Sequence, residues 1–216
     1  MVALEALLAS PKKIVITTHH KPDADALGSS LGLAAYLIKK GHQPVVIAPS
    51  DYPAFLNWMH GNSTVVVYDA KKNDEKVQKL IKQAEVIFCL DFPLLSRTHD
   101  LQKYLEEASA TMVHIDHHLE PGDFADISFS DTTAAATCEL VYEIIKGMGD
   151  GELIDKNIGE CLYAGIMTDT GSFRFSSTSQ RVHMIAAEIL GLGVDTSNIH
   201  RLIFDSYPEE RLRFLG

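Results

Sequence analysis

Cysteine, tryptophan, net positive charge and long apolar runs are all scarce in these 216 residues, and each shortage removes a class of protein. Three cysteines, Cys89, Cys138 and Cys161, are an odd count at spacings that match no zinc or thiol-redox motif. Each sits in an apolar stretch, which predicts buried free thiols. No apolar run reaches the about 18 residues that a membrane span needs. The opening Met-Val-Ala-Leu-Glu-Ala-Leu-Leu-Ala-Ser has no cation ahead of its short apolar stretch and is broken by Glu5, so it reads as a first helix and not as a signal peptide. Those two absences predict a cytoplasmic protein with no membrane partner. Formal net charge is −10, whereas a surface that grips long nucleic acid through its phosphates is normally basic. A long duplex is therefore a poor partner for this chain alone. Linkers rich in Gly, Pro or Ser, low-complexity tracts and internal repeats are also missing.

What is present is the composition of a globular core, 46 % hydrophobic and 22 % charged, arranged in a regular alternation. Strands are predicted at Lys13–Thr18, Pro44–Ala48, Thr64–Tyr68, Glu85–Leu90 and Thr111–Ile115, where β-branched and apolar residues run together between turn signals. Helical spacing falls between them at Leu27–Lys40, Lys71–Lys82 and Leu101–Ala108. Strand–helix alternation over the first 116 residues predicts an α/β fold, doubly wound, with a mainly parallel five-stranded sheet. Thereafter helices dominate, at Thr133–Lys146, Ile154–Met167, Gln180–Leu190 and Thr196–Ile203, with Arg174–Phe175 as a short edge strand. A last helix begins at Pro208 and has only about two turns before the chain stops, which predicts a longer natural chain.

Three of the predicted strands end in acids or imidazoles. The first is followed by His19-His20-Lys-Pro-Asp23-Ala-Asp25-Ala-Leu-Gly28-Ser29, the fourth by Asp91, the fifth by Asp116-His117-His118. In parallel sheets, ligands bind outside the carboxyl ends of the strands, and crossovers of one hand bring those ends to one edge. Carboxylates crowded there repel one another unless a cation joins them. Carboxylate with one or two imidazoles suits Mn²⁺, and also Mg²⁺, Fe²⁺ or Co²⁺. The set is large enough for two ions that share a ligand, the arrangement that activates water against a phosphoryl group. Each segment also has a plainer reading: Asp91 as a helix N-cap, Asp23 and Asp25 as a turn and cap, His117 and His118 as an exposed pair.

His19-x-x-Pro-Asp23-x-Asp25-Ala-x-Gly28-Ser29, then Asp91, then Asp116-His117-His118, then Asp169-Thr-Gly171, resembles the DHH phosphoesterase family. Within it the chain is most similar to the bacterial oligoribonuclease and nucleotide-phosphatase branch. The resemblance adds Asp169, which chemistry alone reads as the end of a helix closed by Gly171. It implies that His19 and Asp23 hold one metal, that Asp25 and His117 hold the second, and that Asp91 and Asp169 lie between as shared ligands. His118 becomes the phosphate contact or acid near the leaving oxygen, with Asp116 orienting the histidines. Gly28 and Ser29, at the start of the first long helix, and Arg174 become substrate contacts. Residues 1–190 become the catalytic domain, and 191–216 the start of a helical linker toward a substrate-binding domain, since no Gly-Gly-Gly-His run occurs here. The implied activity is metal-dependent hydrolysis of short oligoribonucleotides, dinucleotides or the 3′-phosphate of adenosine 3′,5′-bisphosphate, weak on oligonucleotides without that further domain. Alternatives are an inorganic pyrophosphatase or polyphosphatase of the same family, a RecJ-type exonuclease, and a non-catalytic nucleotide-sensing module.

Overall fold

Alternate residues along each central strand face opposite ways, and here both faces are apolar, so helices must cover both. In the computed structural model, which describes residues 1–205, strand β1 (Lys13–Thr17) turns Ile14 and Ile16 to one layer and Val15 to the other. Strand β4 (Val86–Leu90) does the same with Phe88 and Leu90 against Ile87 and Cys89. Along the chain, β2 (Gln43–Ala48) and β3 (Val66–Val67) come between these two, and β5 (Thr111–Asp116) and β6 (Ile127–Ser130) follow. The sheet is parallel throughout, in the order β3-β2-β1-β4-β5-β6. The chain runs outward one way from β1 and then returns to run outward the other way from β4. That leaves a crevice at the carboxyl ends of β1 and β4, the topological switch point where such sheets bind ligands.

The larger layer holds α2 (Ala24–Lys39), α5 (Thr137–Gly147), α6 (Lys156–Asp169) and α7 (Gln180–Gly191), with short α1 (Val2–Leu7) and α8 (Thr196–His200) at its margins. The smaller holds α3 (Asp74–Gln83) and α4 (Gln102–Glu106). Helix α2 starts at Ala24, three residues earlier than its apolar spacing predicts, because Asp23 caps it: Oδ1 accepts from the backbone N–H groups of Asp25 and Ala26, each at 3.0 Å. All three cysteines are buried free thiols, as their apolar surroundings predict. No helix among the described residues is long and apolar enough to cross a membrane.

Three expectations change. The sheet has a sixth strand, β6, whose four residues Ile-Ser-Phe-Ser alternate half-buried and exposed at the sheet edge and were too short to stand out as a run. The third strand shrinks to two residues. Arg174–Phe175 is no strand: positive φ at Gly171, Ser172 and Phe173 winds that segment into a left-handed turn. Residues 191–205 pack on the main core through Val194, Ile199 and Ile203. The helix read from Pro208 onward lies outside the described residues.

Candidate metal centre

Six side chains from four segments of the chain meet at the switch point. His19 follows β1. Its Nδ1 bonds the His20 carbonyl oxygen at 2.9 Å, which aims Nε2 at Asp91 Oδ2 (3.5 Å) and Asp23 Oδ2 (3.9 Å). Asp23 is thus both a helix cap and a site residue: one oxygen holds the helix start and the other faces His19. Asp91 sits at φ +66°, a left-handed conformation that few non-glycine residues take. It does not cap a helix. Its N–H donates to Ile115 O at 3.0 Å, and its Oδ1 accepts from Thr137 Oγ1 at 2.8 Å. Strain of this kind gathers at functional sites.

On the other side, His117 Nε2 lies 3.5 Å from Asp91 Oδ1, 3.5 Å from Asp169 Oδ2 and 3.8 Å from Asp25 Oδ2. Asp25 is completely buried, and its two oxygens accept from the N–H groups of Thr137 (2.6 Å) and Cys138 (2.9 Å), the first residues of α5. It therefore fastens α2 to the N-terminus of α5, where a negative charge is favoured. Asp169 ends α6. The helices α2 and α6 touch closely because α2 carries Gly28 and α6 carries Gly165. A Cβ at 28 would collide with the Cys161 carbonyl, and one at 165 would come within 2.6 Å of Asp25 Oδ1. Gly171 then breaks α6 at φ +55°.

The ligand atoms of His19, Asp23 and Asp91 lie within 4.8 Å of one another, and so do those of Asp25, His117 and Asp169. Asp91 faces both groups, one oxygen to each. Asp169, expected to be shared as well, falls in the second of these groups, its Oδ2 3.5 Å from His117 Nε2.

Electrostatics give these acids a reason to hold a cation. Burial, Asp91 and Asp169 push the Asp25 carboxyl well above the usual carboxylate range, despite its two N–H partners. Burial, Asp91 and Asp23 push Asp169 to about 8. Asp91 stays ionised: burial works against its charge, but the hydrogen bond to His19 and the imidazoles outweigh it. His19 is raised in turn, burial opposing and the bond to Asp91 prevailing. Three carboxylates therefore share too little positive charge. Divalent cations would supply it, and carboxylate oxygen with imidazole nitrogen is a donor set that Mn²⁺, Mg²⁺, Fe²⁺ and Co²⁺ accept.

His118 Nδ1 donates to Asp116 Oδ1 at 2.7 Å and lies 3.8 Å from Asp91 Oδ1. That bond raises the imidazole pKa, with burial opposing. Asp116 is fully buried and its Oδ2 has no hydrogen-bond partner among the described residues, although His114 Nε2, itself bonded to Phe92 O, is 3.7 Å away. His20 turns aside: its N–H donates to Arg97 O and its ring stacks on His99, centroids 4.1 Å apart.

Two expected substrate contacts do not face the crevice. Gly28 is buried against α6, and Ser29 is buried with its hydroxyl donating to Ala26 O at 3.2 Å. The anion-favouring start of α2 is already taken by Asp23. Arg174 is exposed, and its Nε donates to Gly171 O at 2.6 Å, in the turn after Asp169. Thr137, missed in the sequence, supports the centre through both Asp25 and Asp91. Nothing marks it in advance, since it opens a helix that sequence spacing starts at Thr133.

Fold and site together define a parallel α/β domain with a candidate divalent-metal centre at its switch point. The DHH family, N-terminal domain, matches residues 13–166, and the chain belongs to that family. His19, Asp23, Asp25, Asp91 and Asp116-His117-His118 fall inside the matched residues; Asp169 lies three residues past them. The chain is 32 % identical to the bifunctional oligoribonuclease and PAP phosphatase NrnA of Thermus thermophilus, over 98 % of this chain and 60 % of that protein. It is 27 % identical to the Bacillus subtilis protein of the same description, over 89 % and 57 %. A crystal structure of an exopolyphosphatase-related protein from Bacteroides fragilis superposes over the whole chain with a TM-score of 0.95 at 38 % identity, covering 63 % of that chain. The chain spans about three fifths of the length of the curated relatives it matches.

Proposed function

We propose that this chain carries the catalytic centre of a cytoplasmic, metal-dependent phosphoesterase acting on short oligoribonucleotides, dinucleotides or the 3′-phosphate of adenosine 3′,5′-bisphosphate. Asp91 is the observation that carries the reading, a strained carboxylate with one oxygen toward each of two ligand groups. The description of the Thermus and Bacillus relatives supports the substrate class. In this reading His19, Asp23 and Asp91 hold one ion, and Asp25, His117, Asp169 and Asp91 hold the second, with manganese in both places. Two such ions acidify water and neutralise charge on phosphoryl oxygens. Residues 1–190 are the catalytic domain, with 191–205 packed onto it.

The chain's own residues supply orientation and a proton. Asp116 fixes Nδ1 of His118 as a donor, so His118 carries a proton on Nε2 only as the imidazolium. The bond to Asp116 raises the pKa and so favours that form. As a water oxygen bonds to phosphorus, losing one proton to solvent, and the ester P–O bond breaks, His118 Nε2–H gives its proton to the leaving oxygen and is reprotonated from solvent. The test is hydrolysis of adenosine 3′,5′-bisphosphate and of 5′-phosphorylated diadenylate with Mn²⁺. Turnover should fall by roughly a hundredfold or more in His117→Ala and Asp169→Asn, with folding checked by circular dichroism. Unchanged turnover in either variant contradicts the assignment, and metal binding without any hydrolysis favours the nucleotide-sensing module.

A second reading is supported by the Bacteroides relative, described as exopolyphosphatase-related. Phosphate release from pyrophosphate or polyphosphate in preference to both nucleotides would establish it.

A further inference from the structure

Past Asp169 the backbone takes a costly path. Gly171, Ser172 and Phe173 have φ of 55°, 60° and 64°, three left-handed residues in succession, two of them with side chains. Thr170, completely buried, holds them there. Its Oγ1 donates to Ile166 O at 2.7 Å and accepts from Phe173 N–H at 3.0 Å, and its carbonyl accepts from the N–H groups of Arg174 and Phe175 at 2.9 and 3.0 Å. The outcome is two aromatic rings with opposite fates. Phe173 packs between Tyr163 and His183, each ring centroid 5.8 Å away. Phe175 is 56 % exposed, its ring set against Gly171 where any side chain would collide. Arg174 lies between them and, among the described residues, spends one of its five donors, on Gly171 O.

We propose that Phe175 is the stacking platform for a nucleobase of the substrate, beside the Arg174 guanidinium. The inference rests on the phosphoesterase reading and deepens it by naming the residue that takes the base. A water-exposed ring seated on Gly171, on a turn pinned by Thr170, loses little freedom on binding, and it lies six residues past Asp169, a proposed metal ligand. Every base has a π face, so stacking tolerates any sequence, as an enzyme of short oligonucleotides requires. Stacking is also largely uncharged, so it works on a chain of net charge −10, where attraction for a polyanion is weak. The competing account is that Phe175 merely shields the Gly171 turn. Leucine would shield it equally well but offers no π face.

The full chain is titrated by calorimetry with 5′-phosphorylated diadenylate in Mn²⁺, using wild type, Phe175→Leu and Phe175→Trp, with inorganic phosphate as the base-free probe. Phe175→Leu should weaken the dinucleotide about tenfold and leave phosphate unchanged, while Phe175→Trp retains dinucleotide affinity. Equal dinucleotide affinity in wild type and Phe175→Leu overturns the proposal, as does equal weakening of both ligands or no dinucleotide binding by wild type. Dinucleotide bound in the predicted pattern but never hydrolysed would sink the phosphoesterase reading and leave the platform standing.

Discussion

Asp91 shows how one residue can be read correctly for its place and wrongly for its local role. A lone acid after a strand is usually a helix cap, yet here the capping is done by Asp23, which serves the site as well, while Asp91 spends its backbone on β5 and its carboxylate on both ligand groups. The motif spacing made His19, Asp23, Asp25, Asp91 and His117 legible because each follows a strand that topology carries to one edge. Asp169 ends a helix and was legible only by family resemblance. Gly28 and Ser29 were misplaced because glycine and serine at a helix start fit a phosphate cradle and a close helix contact equally well; the deciding neighbour, Cys161, is far along the chain.

Two predictions belong at this scale. Asp116→Asn removes the charge that raises His118, so with His118 as the acid the alkaline limb of the pH–rate profile should move to lower pH. An unmoved limb contradicts that role. The second concerns Asp169, held at about 8 against an ordinary value of 3.8. Between those values the folded, metal-free chain binds more protons than the unfolded one, so its stability falls as pH rises through that window. A cation must displace the proton, so Mn²⁺ affinity should climb from about pH 6 to about pH 8 and then level, with proton release visible in buffers of different ionisation heat. A flat profile counts against the clustered acids as ligands.

At the scale of elements, the centre depends on how closely α2 approaches α6. Gly165→Ala would put a methyl group against Asp25 and Cys138 Sγ. Overpacking of that kind costs about 1–3 kcal/mol. Chemical denaturation should report that loss together with weaker Mn²⁺ binding, because Asp25 is displaced from the start of α5. Destabilisation with unchanged metal affinity would separate the packing from the site. The same dependence explains what sequence spacing missed. β6 is a half-exposed edge strand with no continuous apolar run, and the turn at 171–173 is set by bonds to Thr170 that local propensity does not reveal.

At the scale of the whole molecule, a chain of net charge −10 gathers more acids at its switch point than its imidazoles can neutralise. Family membership and the parallel order β3-β2-β1-β4-β5-β6 fix where that happens. The alternation of strand and helix made the fold readable almost to its edges, whereas the substrate surface was not, since it depends on side chains such as Phe175 whose exposure only the folded turn decides. The central claim is that two ions share Asp91. Metal content after equilibration with Mn²⁺ and removal of the free ion tests it most directly. Wild type should retain two manganese ions per chain and Asp91→Ala fewer than one; a single ion in wild type, or two in Asp91→Ala, would contradict the account.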